Sequence, residues 1–124
     1  MQDEKGLTLL EVLVAMVVLS LGLLALTKMQ ITAIQANAAS GRLTQGTAFA
    51  QDKLEQLMAL PYTDPQLDDQ TPHTETRPAQ GYTITWTVAQ DALAVGVKTI
   101  NLTVTWRNRG QPKTFSLAFF KESI

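Results

Sequence analysis

The chain has 124 residues, a formal net charge of −1 and 45% hydrophobic residues, and this length predicts one domain. It has no cysteine, which excludes disulfides, thiolate metal sites and a thiol nucleophile. The Lys and Arg residues are scattered, so nucleic acid is not an expected partner. The sequence contains no nucleophile–base pair, phosphate-binding loop or catalytic carboxylate pair, and we predict neither enzymatic activity nor a cofactor.

A hydrophilic leader, residues 1–6, ends in Gly6 and is followed at once by an apolar helix over residues 7–27. A helix of this length can cross a hydrocarbon layer of about 30 Å. Glu11 lies inside this apolar stretch. An unpaired carboxylate in lipid costs roughly 2.5–3.5 kcal/mol. We therefore expect Glu11 to find its partner outside its own chain.

The helix is predicted to continue over residues 28–60, which contain no proline and are rich in Ala, Gln, Leu and Met. Apolar and small residues recur there at helical spacing, which predicts an amphipathic helix with one buried face. Pro61 is expected to end it. The predicted buried stripe consists of Leu43, Gly46, Phe49, Ala50, Leu54, Leu57 and Met58.

Residues 61–81 contain four of the five prolines and are predicted to form a loop in which His73 is solvated. Asp64, Asp68 and Asp69 lie in this loop. They lack the glycine and the terminal glutamate of a calcium-binding loop, so we predict no metal site.

Apolar and polar residues alternate over residues 82–121, which predicts half-buried strands. Trp86 and Trp106 are assigned to the core, and Arg107–Lys113 is predicted to be a hairpin turn with solvated arginines. The predicted fold is α+β: a long N-terminal helix, with a transmembrane half and an amphipathic half, packed against a three- or four-stranded antiparallel sheet. The strand residues that should share the buried face are Tyr82, Ile84, Trp86, Val88, Ile100, Leu102, Val104, Trp106, Phe115, Leu117 and Phe119.

Gly6 followed by Leu-Thr-Leu-Leu-Glu-Val-Leu-Val-Ala resembles the cleavage and N-methylation signal of type IV prepilins and type II secretion pseudopilins. The specific motif covers residues 6–21. The stretch 48–55, the Thr105-Trp106 strand end and the short length resemble most the V-type minor pilins and the I-type pseudopilins.

The resemblance implies a pilin-like fold and processing by a prepilin peptidase, which would cut between Gly6 and Leu7. The new amino group of Leu7 would be methylated. Glu11 would neutralise the terminal amine of a neighbouring subunit, and the Thr8 hydroxyl would help to orient these groups. The partners implied are other minor and major pilins, the inner-membrane assembly platform and, before assembly, membrane lipid.

The implied location is the inner membrane, crossed once, with residues 28–124 as a periplasmic head. From there the subunit would enter a cell-surface pilus or a periplasmic pseudopilus. Two features depart from major pilins: Leu7 stands where phenylalanine is usual, and the mid-helix proline is absent, with Lys28 in the helix. Leu7 is expected to be tolerated, and the missing proline with Lys28 favours a minor subunit or a pseudopilin over a major pilin.

The function predicted is that of a structural minor pilin in the initiating or tip complex of a type IV pilus. A type II secretion pseudopilin is the alternative within the family. A membrane-anchored module, with its threonine-rich sheet face or the 61–81 loop contacting a surface or DNA, is an alternative from another class. An ordinary secretory signal cleaved after Ala36-Asn37-Ala38 and a plain membrane anchor are further alternatives; neither gives Glu11 a role.

Overall fold

The structure is a computed structural model that describes residues 3–68 and 71–123, with side chains described from Thr8 onward. Helix α1 spans Asp3–Ala59, so it begins inside the predicted leader and ends one residue before the expected Leu60. A 3-10 helix spans Pro65–Leu67. The strands are β1, His73–Arg77; β2, Tyr82–Gln90; β3, Val97–Asn108; and β4, Gln111–Glu122. The chain divides into two compact units, residues 1–39 and 40–124.

The four strands form one sheet in the order β1-β2-β3-β4, with every neighbouring pair antiparallel. This confirms the predicted α+β fold. The β3–β4 hairpin closes through Arg109 and Gly110, whose φ angles of 53° and 76° are those of a tight two-residue turn. The predicted turn, Arg107–Lys113, was too wide because pairing continues to Asn108 and Gln111. Arg107 and Arg109 are exposed, as predicted.

One face of the sheet packs on the second half of α1. The helix contributes Ala50 and Leu57, both fully buried, with Phe49 partly buried beside them. All eight residues predicted for the buried face of β2 and β3 are buried, including both tryptophans. On β4, Phe115, Leu117 and Phe119 are only partly buried, because β4 lies at the edge of the sheet.

The predicted helical stripe was wrong at its two ends. Leu43 is 46% exposed and Met58 is 44% exposed. Tyr82 and Trp106 approach the helix at Gly46, whereas Leu43 lies almost one turn earlier and outside the buried cluster. The centre of the stripe instead includes Lys53, which is only 5% exposed.

The segment predicted as a loop, residues 61–81, contains the 3-10 helix and strand β1. The Asp64 side chain accepts a hydrogen bond from the Gln66 amide (2.9 Å) and caps the 3-10 helix. Asp69 lies outside the described residues. His73 is half-buried and stacks on Trp86, with ring centroids 5.3 Å apart, so the prediction that it is solvated was wrong. Proline content suggested a loop here, but sheet pairing with β2 overrides that tendency.

Two buried lysines join the sheet to the end of α1 and to the segment that follows it. Lys98 and Lys121 face each other across β3 and β4. Lys98 donates from Nζ to the carbonyl oxygens of Tyr62 (2.6 Å) and Leu67 (2.9 Å). Lys121 donates to the carbonyl oxygen of Met58 (2.6 Å). A cation at the C-terminal end of a helix satisfies carbonyls that have no helical partner.

A charged cluster joins α1 to β1. Lys53 Nζ lies 3.0 Å from Glu75 Oε2 and 4.2 Å from the centre of the Trp86 ring. Arg77 bridges Glu75 (3.1 Å) and Asp52 (3.0 Å). The hydrogen bond from Lys53 lowers the pKa of Glu75 below its usual 4.5, against the opposing effect of burial. The cluster therefore favours the ionised carboxylate in the folded state.

This pKa shift predicts that the cluster contributes stability above the unfolded-state pKa of Glu75, and that the contribution is lost as pH falls through the lower folded-state pKa. Lys53→Met removes the ammonium group and leaves an unbranched apolar side chain of similar length. We expect its melting temperature to lie below that of the wild type near neutral pH, and the difference to shrink in acid. Thermal unfolding of the full chain in detergent over a pH series measures this. Lys113→Met, at an exposed site, is the control. A difference that stays constant with pH would contradict the prediction.

Two glycines of α1 give a matched test of helix–sheet packing. A Cβ added at Gly46 would lie 3.2 Å from Tyr82 Cε1, whereas one added at Gly41 would meet nothing within 4 Å. Tyr82 is fixed by burial and by the hydrogen bond from its hydroxyl to the Arg42 carbonyl oxygen (2.8 Å). We expect Gly41→Ala to raise the free energy of unfolding by about 1 kcal/mol through helix propensity. Gly46→Ala should lose that gain and cost about 1–3 kcal/mol through overpacking.

Tryptophan fluorescence during denaturant unfolding measures both variants, because Trp86 and Trp106 lie in the core. Equal stabilisation by the two substitutions would show that the sheet does not approach the helix closely at Gly46.

Candidate functional site

The first compact unit exposes apolar side chains on all sides of its helix. Every side chain from Thr8 to Ile34 is exposed, and large aliphatic residues occupy every face, with Leu9 at 72%, Leu24 at 68% and Met29 at 73%. A helix that is apolar all round is suited to a membrane or to the core of an assembly. Within the first unit, none of the side chains from Thr8 to Ile34 is buried.

By length and composition, this is the one helix among the described residues that could cross a membrane, and none of its most apolar window is buried. The absence of burial distinguishes it from the core helix of a globular protein. Lys28, at the end of the predicted span, is exposed. Its long side chain can reach the polar surface of a bilayer.

Hydroxyl groups in the apolar stretch are satisfied within the helix. Ser20 Oγ donates to the Met16 carbonyl oxygen (2.7 Å), and Thr27 Oγ1 donates to the Leu23 carbonyl oxygen (2.9 Å). Such bonds remove most of the cost of placing a hydroxyl in lipid. Ser20 and Glu11 are the two polar residues between Leu9 and Leu26.

The Glu11 carboxylate differs from these hydroxyls. It is exposed, and no ion pair with it is found among the described residues. Thr8 lies three residues earlier on the same face of the helix. Gly6 and Leu7 lie in the first turns of α1. The helix therefore places all four predicted residues within about two turns, with the carboxylate one turn after Leu7.

The outer face of the sheet in the second unit is uncharged in its middle, between Arg107 on β3 and Glu122 on β4. Opposite the helix, β2 and β3 carry hydroxyl residues in register, with Thr83 beside Thr105 and Thr85 beside Thr103. The rows continue to Thr114 and Ser116 on β4. No group of three or more potential metal ligands is found among the described residues.

The three buried lysines were not predicted from the sequence. Lys98 lies two residues before Ile100, and Lys121 two residues after Phe119, so both are in phase with the buried face. Lys53 likewise lies between Ala50 and Leu57 on the buried helical stripe. Their phase is the signal in the sequence that could have identified them.

The chain was compared with protein families, curated proteins and solved structures. The family model for the prokaryotic N-terminal methylation motif matches residues 1–27. The match supports a relationship of this chain to the type IV prepilins and pseudopilins. Proteins of this family are structural subunits. It also implies processing by prepilin peptidase and assembly with other pilins. No curated protein and no solved structure gave a significant match.

A charge placed in the apolar stretch tests whether it enters a membrane. Val17→Arg puts a cation at the centre of residues 7–27 and should cost roughly 2.5–3.5 kcal/mol of insertion free energy. We expect a large part of this variant to be extracted from membranes by alkaline carbonate, while the wild type stays in the pellet. Gln30→Arg, beyond the apolar stretch, is the control and should behave as the wild type. Equal extraction of both variants would argue against a membrane span at residues 7–27.

Proposed function

We propose that this protein is a structural minor pilin, anchored in the inner membrane by residues 7–27 and then incorporated into a type IV pilus, in its initiating or tip complex. One observation carries the proposal. The apolar stretch 7–27 contains one carboxylate, Glu11, which has no ion-pair partner among the described residues and lies inside the matched methylation motif, residues 1–27.

Cleavage between Gly6 and Leu7 would create the cation that Glu11 lacks. The new amino group would lie four residues from the carboxylate on the same helix. Such a pair forms best between two staggered helices, where each charge can approach its partner end to side. In an apolar core, each charge is costly alone, and docking of a neighbour removes both penalties together. The pair would therefore set the register of the subunit.

The Thr8 hydroxyl would assist this pairing, since Thr8 lies three residues before Glu11 on the same helix. In the proposed assembly it would orient the carboxylate or the neighbouring amine by a hydrogen bond. Before assembly, the periplasm would contain residues 28–124, with membrane lipid around the apolar helix.

The absence of a mid-helix proline supports a minor subunit or a pseudopilin over a major pilin. Helix α1 is continuous from Asp3 to Ala59, through Gly22 and Gly41. A type II secretion pseudopilin is the second candidate, because the matched motif is common to both kinds of subunit. Recovery of the processed protein from sheared surface filaments would favour the pilus, and its restriction to the periplasm would favour the pseudopilus.

Glu11→Ala tests the register role. We expect normal membrane insertion, and a fall of roughly tenfold or more in the amount recovered with filaments, because the neighbour's amine would be left buried and unpaired. Glu11→Gln keeps the shape and removes the charge, so it should fail in the same way. Immunoblots of sheared filaments and of membranes from the same cells measure both quantities.

Glu55→Ala is the matched control, since Glu55 is an exposed glutamate on the same helix but outside the apolar stretch. It should incorporate as the wild type. Normal incorporation of both Glu11 variants would overturn the proposed role of the carboxylate.

A further inference from the structure

The two edges of the sheet are built differently. Strand β1, at one edge, has five residues and is flanked by Pro72 and Pro78. Strand β4, at the other edge, has twelve residues, and no described strand pairs with its outer side. From Thr114 to Phe120, β4 contains no charge, proline or glycine. Natural proteins usually protect such an edge by shortness, charge or proline, which is how β1 is protected.

The hairpin fixes which backbone groups of β4 face outward. A two-residue turn makes Asn108 and Gln111 a hydrogen-bonded pair, after which bonded and non-bonded pairs alternate. The amide of Ser123 donates to the Gly96 carbonyl oxygen (2.9 Å), in agreement with this alternation. Odd-numbered residues of β4 therefore bond to β3. The outward amides and carbonyls belong to the even-numbered residues Thr114, Ser116, Ala118 and Phe120.

We propose that the outer edge of β4 binds an extended strand of a different membrane-anchored subunit, antiparallel to β4. The inference rests on the proposed function, and it names the surface and the chemistry of one partner. Main-chain hydrogen bonds would supply the affinity. The incoming strand would also cover Phe115, Leu117 and Phe119, which β4 leaves partly exposed.

Charge defines the partner strand. The neutral run of β4 is bounded by Lys113 at one end and by Lys121 and Glu122 at the other. Lys121 is buried and its Nζ binds the Met58 carbonyl oxygen, so Glu122 is the exposed charge at that end. A complementary strand is therefore uncharged through its middle, with an acidic residue near Lys113 and a basic residue near Glu122. Apolar side chains on the helix side and small or hydroxyl side chains on the other side would continue the two faces of this sheet.

A second copy of this chain does not supply that strand. Two antiparallel copies of β4 would be related by a twofold axis perpendicular to the sheet, which pairs residues of the same face. Lys113 could then face only odd-numbered residues and never Glu122. The axis would also reverse the direction of the helical segment 40–59, whereas subunits in one membrane enter their assembly in a common direction.

The β1 edge of a second copy has the correct direction, since β1 is antiparallel to β4. It is too short to cover the neutral run, and the prolines at both ends prevent its extension. The sheet is thus suited to accept one foreign strand at β4 and unsuited to extend through copies of itself.

Co-purification of full-length proteins tests this inference. The baits are affinity-tagged versions of each other subunit of the same cell that carries an N-terminal methylation motif, co-expressed one at a time with this chain. Ala118→Pro removes one outward amide and keeps the β3–β4 bonds, and Ala118→Ser keeps the amide. We expect one bait to retain the wild type and Ala118→Ser, and to retain Ala118→Pro at least roughly tenfold less.

A second pair of variants tests the neutral edge without proline. Ser116→Lys places a charge on β4, and Thr87→Lys places one on the same face at β2, an inner strand. We expect Ser116→Lys alone to lose retention. Unchanged tryptophan emission and protease resistance of the variants would show that the sheet is intact. Retention of Ala118→Pro or Ser116→Lys at the wild-type level by every bait would overturn the inference.

Cross-linking identifies the strand and separates this inference from the proposed function. The chain has no cysteine, so Ser116→Cys is unique. Disulfides to the bait at every second position of one of its strands would support pairing, and disulfides between two copies of this chain alone would overturn it. Failure of this cross-link with normal dependence of filament incorporation on Glu11 would leave the proposed function standing. Normal incorporation of the Glu11 variants would remove the proposed function, whatever β4 binds.

Discussion

The proposed function depends on one physical constraint, which is a carboxylate in an apolar environment. Glu11 lies on a helix whose aliphatic side chains are exposed on every side, and no ion pair to it is found among the described residues. Ser20 and Thr27 show that the same helix can satisfy its hydroxyls by itself. A carboxylate cannot be satisfied in this way, because it has no proton to donate to a carbonyl oxygen. We propose that a neighbouring subunit supplies its partner.

In the second unit, a small sheet is stabilised by packing on a single helix. Ala50 and Leu57 pack against the β2–β3 face. Lys98 and Lys121 bind carbonyl oxygens at and beyond the end of the helix, and Lys53 joins the helix to β1 through Glu75. Buried cations thus reinforce a hydrophobic core of limited size. One edge, β4, remains available for a further strand.

The sequence was sufficient for the helix, the buried faces of β2 and β3, and the β3–β4 hairpin, because each is encoded by a local period or by turn residues. It was insufficient for β1, since Pro72 and Pro78 mask a five-residue strand that depends on pairing with β2. Leu43 is in phase with the buried stripe and is nevertheless exposed, so helical spacing alone does not determine its burial. Lys53 is in phase with the stripe and is buried, but its partners Glu75 and Trp86 cannot be read from helical spacing. The candidate site was located by its motif, while the roles of Gly6, Leu7, Thr8 and Glu11 remain predictions.

The matched methylation motif implies processing by prepilin peptidase, and we propose that the cut lies between Gly6 and Leu7, where it would create the partner of Glu11. The most direct measurement is N-terminal sequencing, with mass analysis, of the native protein recovered from sheared filaments. We predict a mature chain that begins with N-methylated Leu7, whose amine can pair with the Glu11 of a neighbour. A filament-borne chain that still begins at Met1, or one that begins at Ala39, would contradict the proposed pairing.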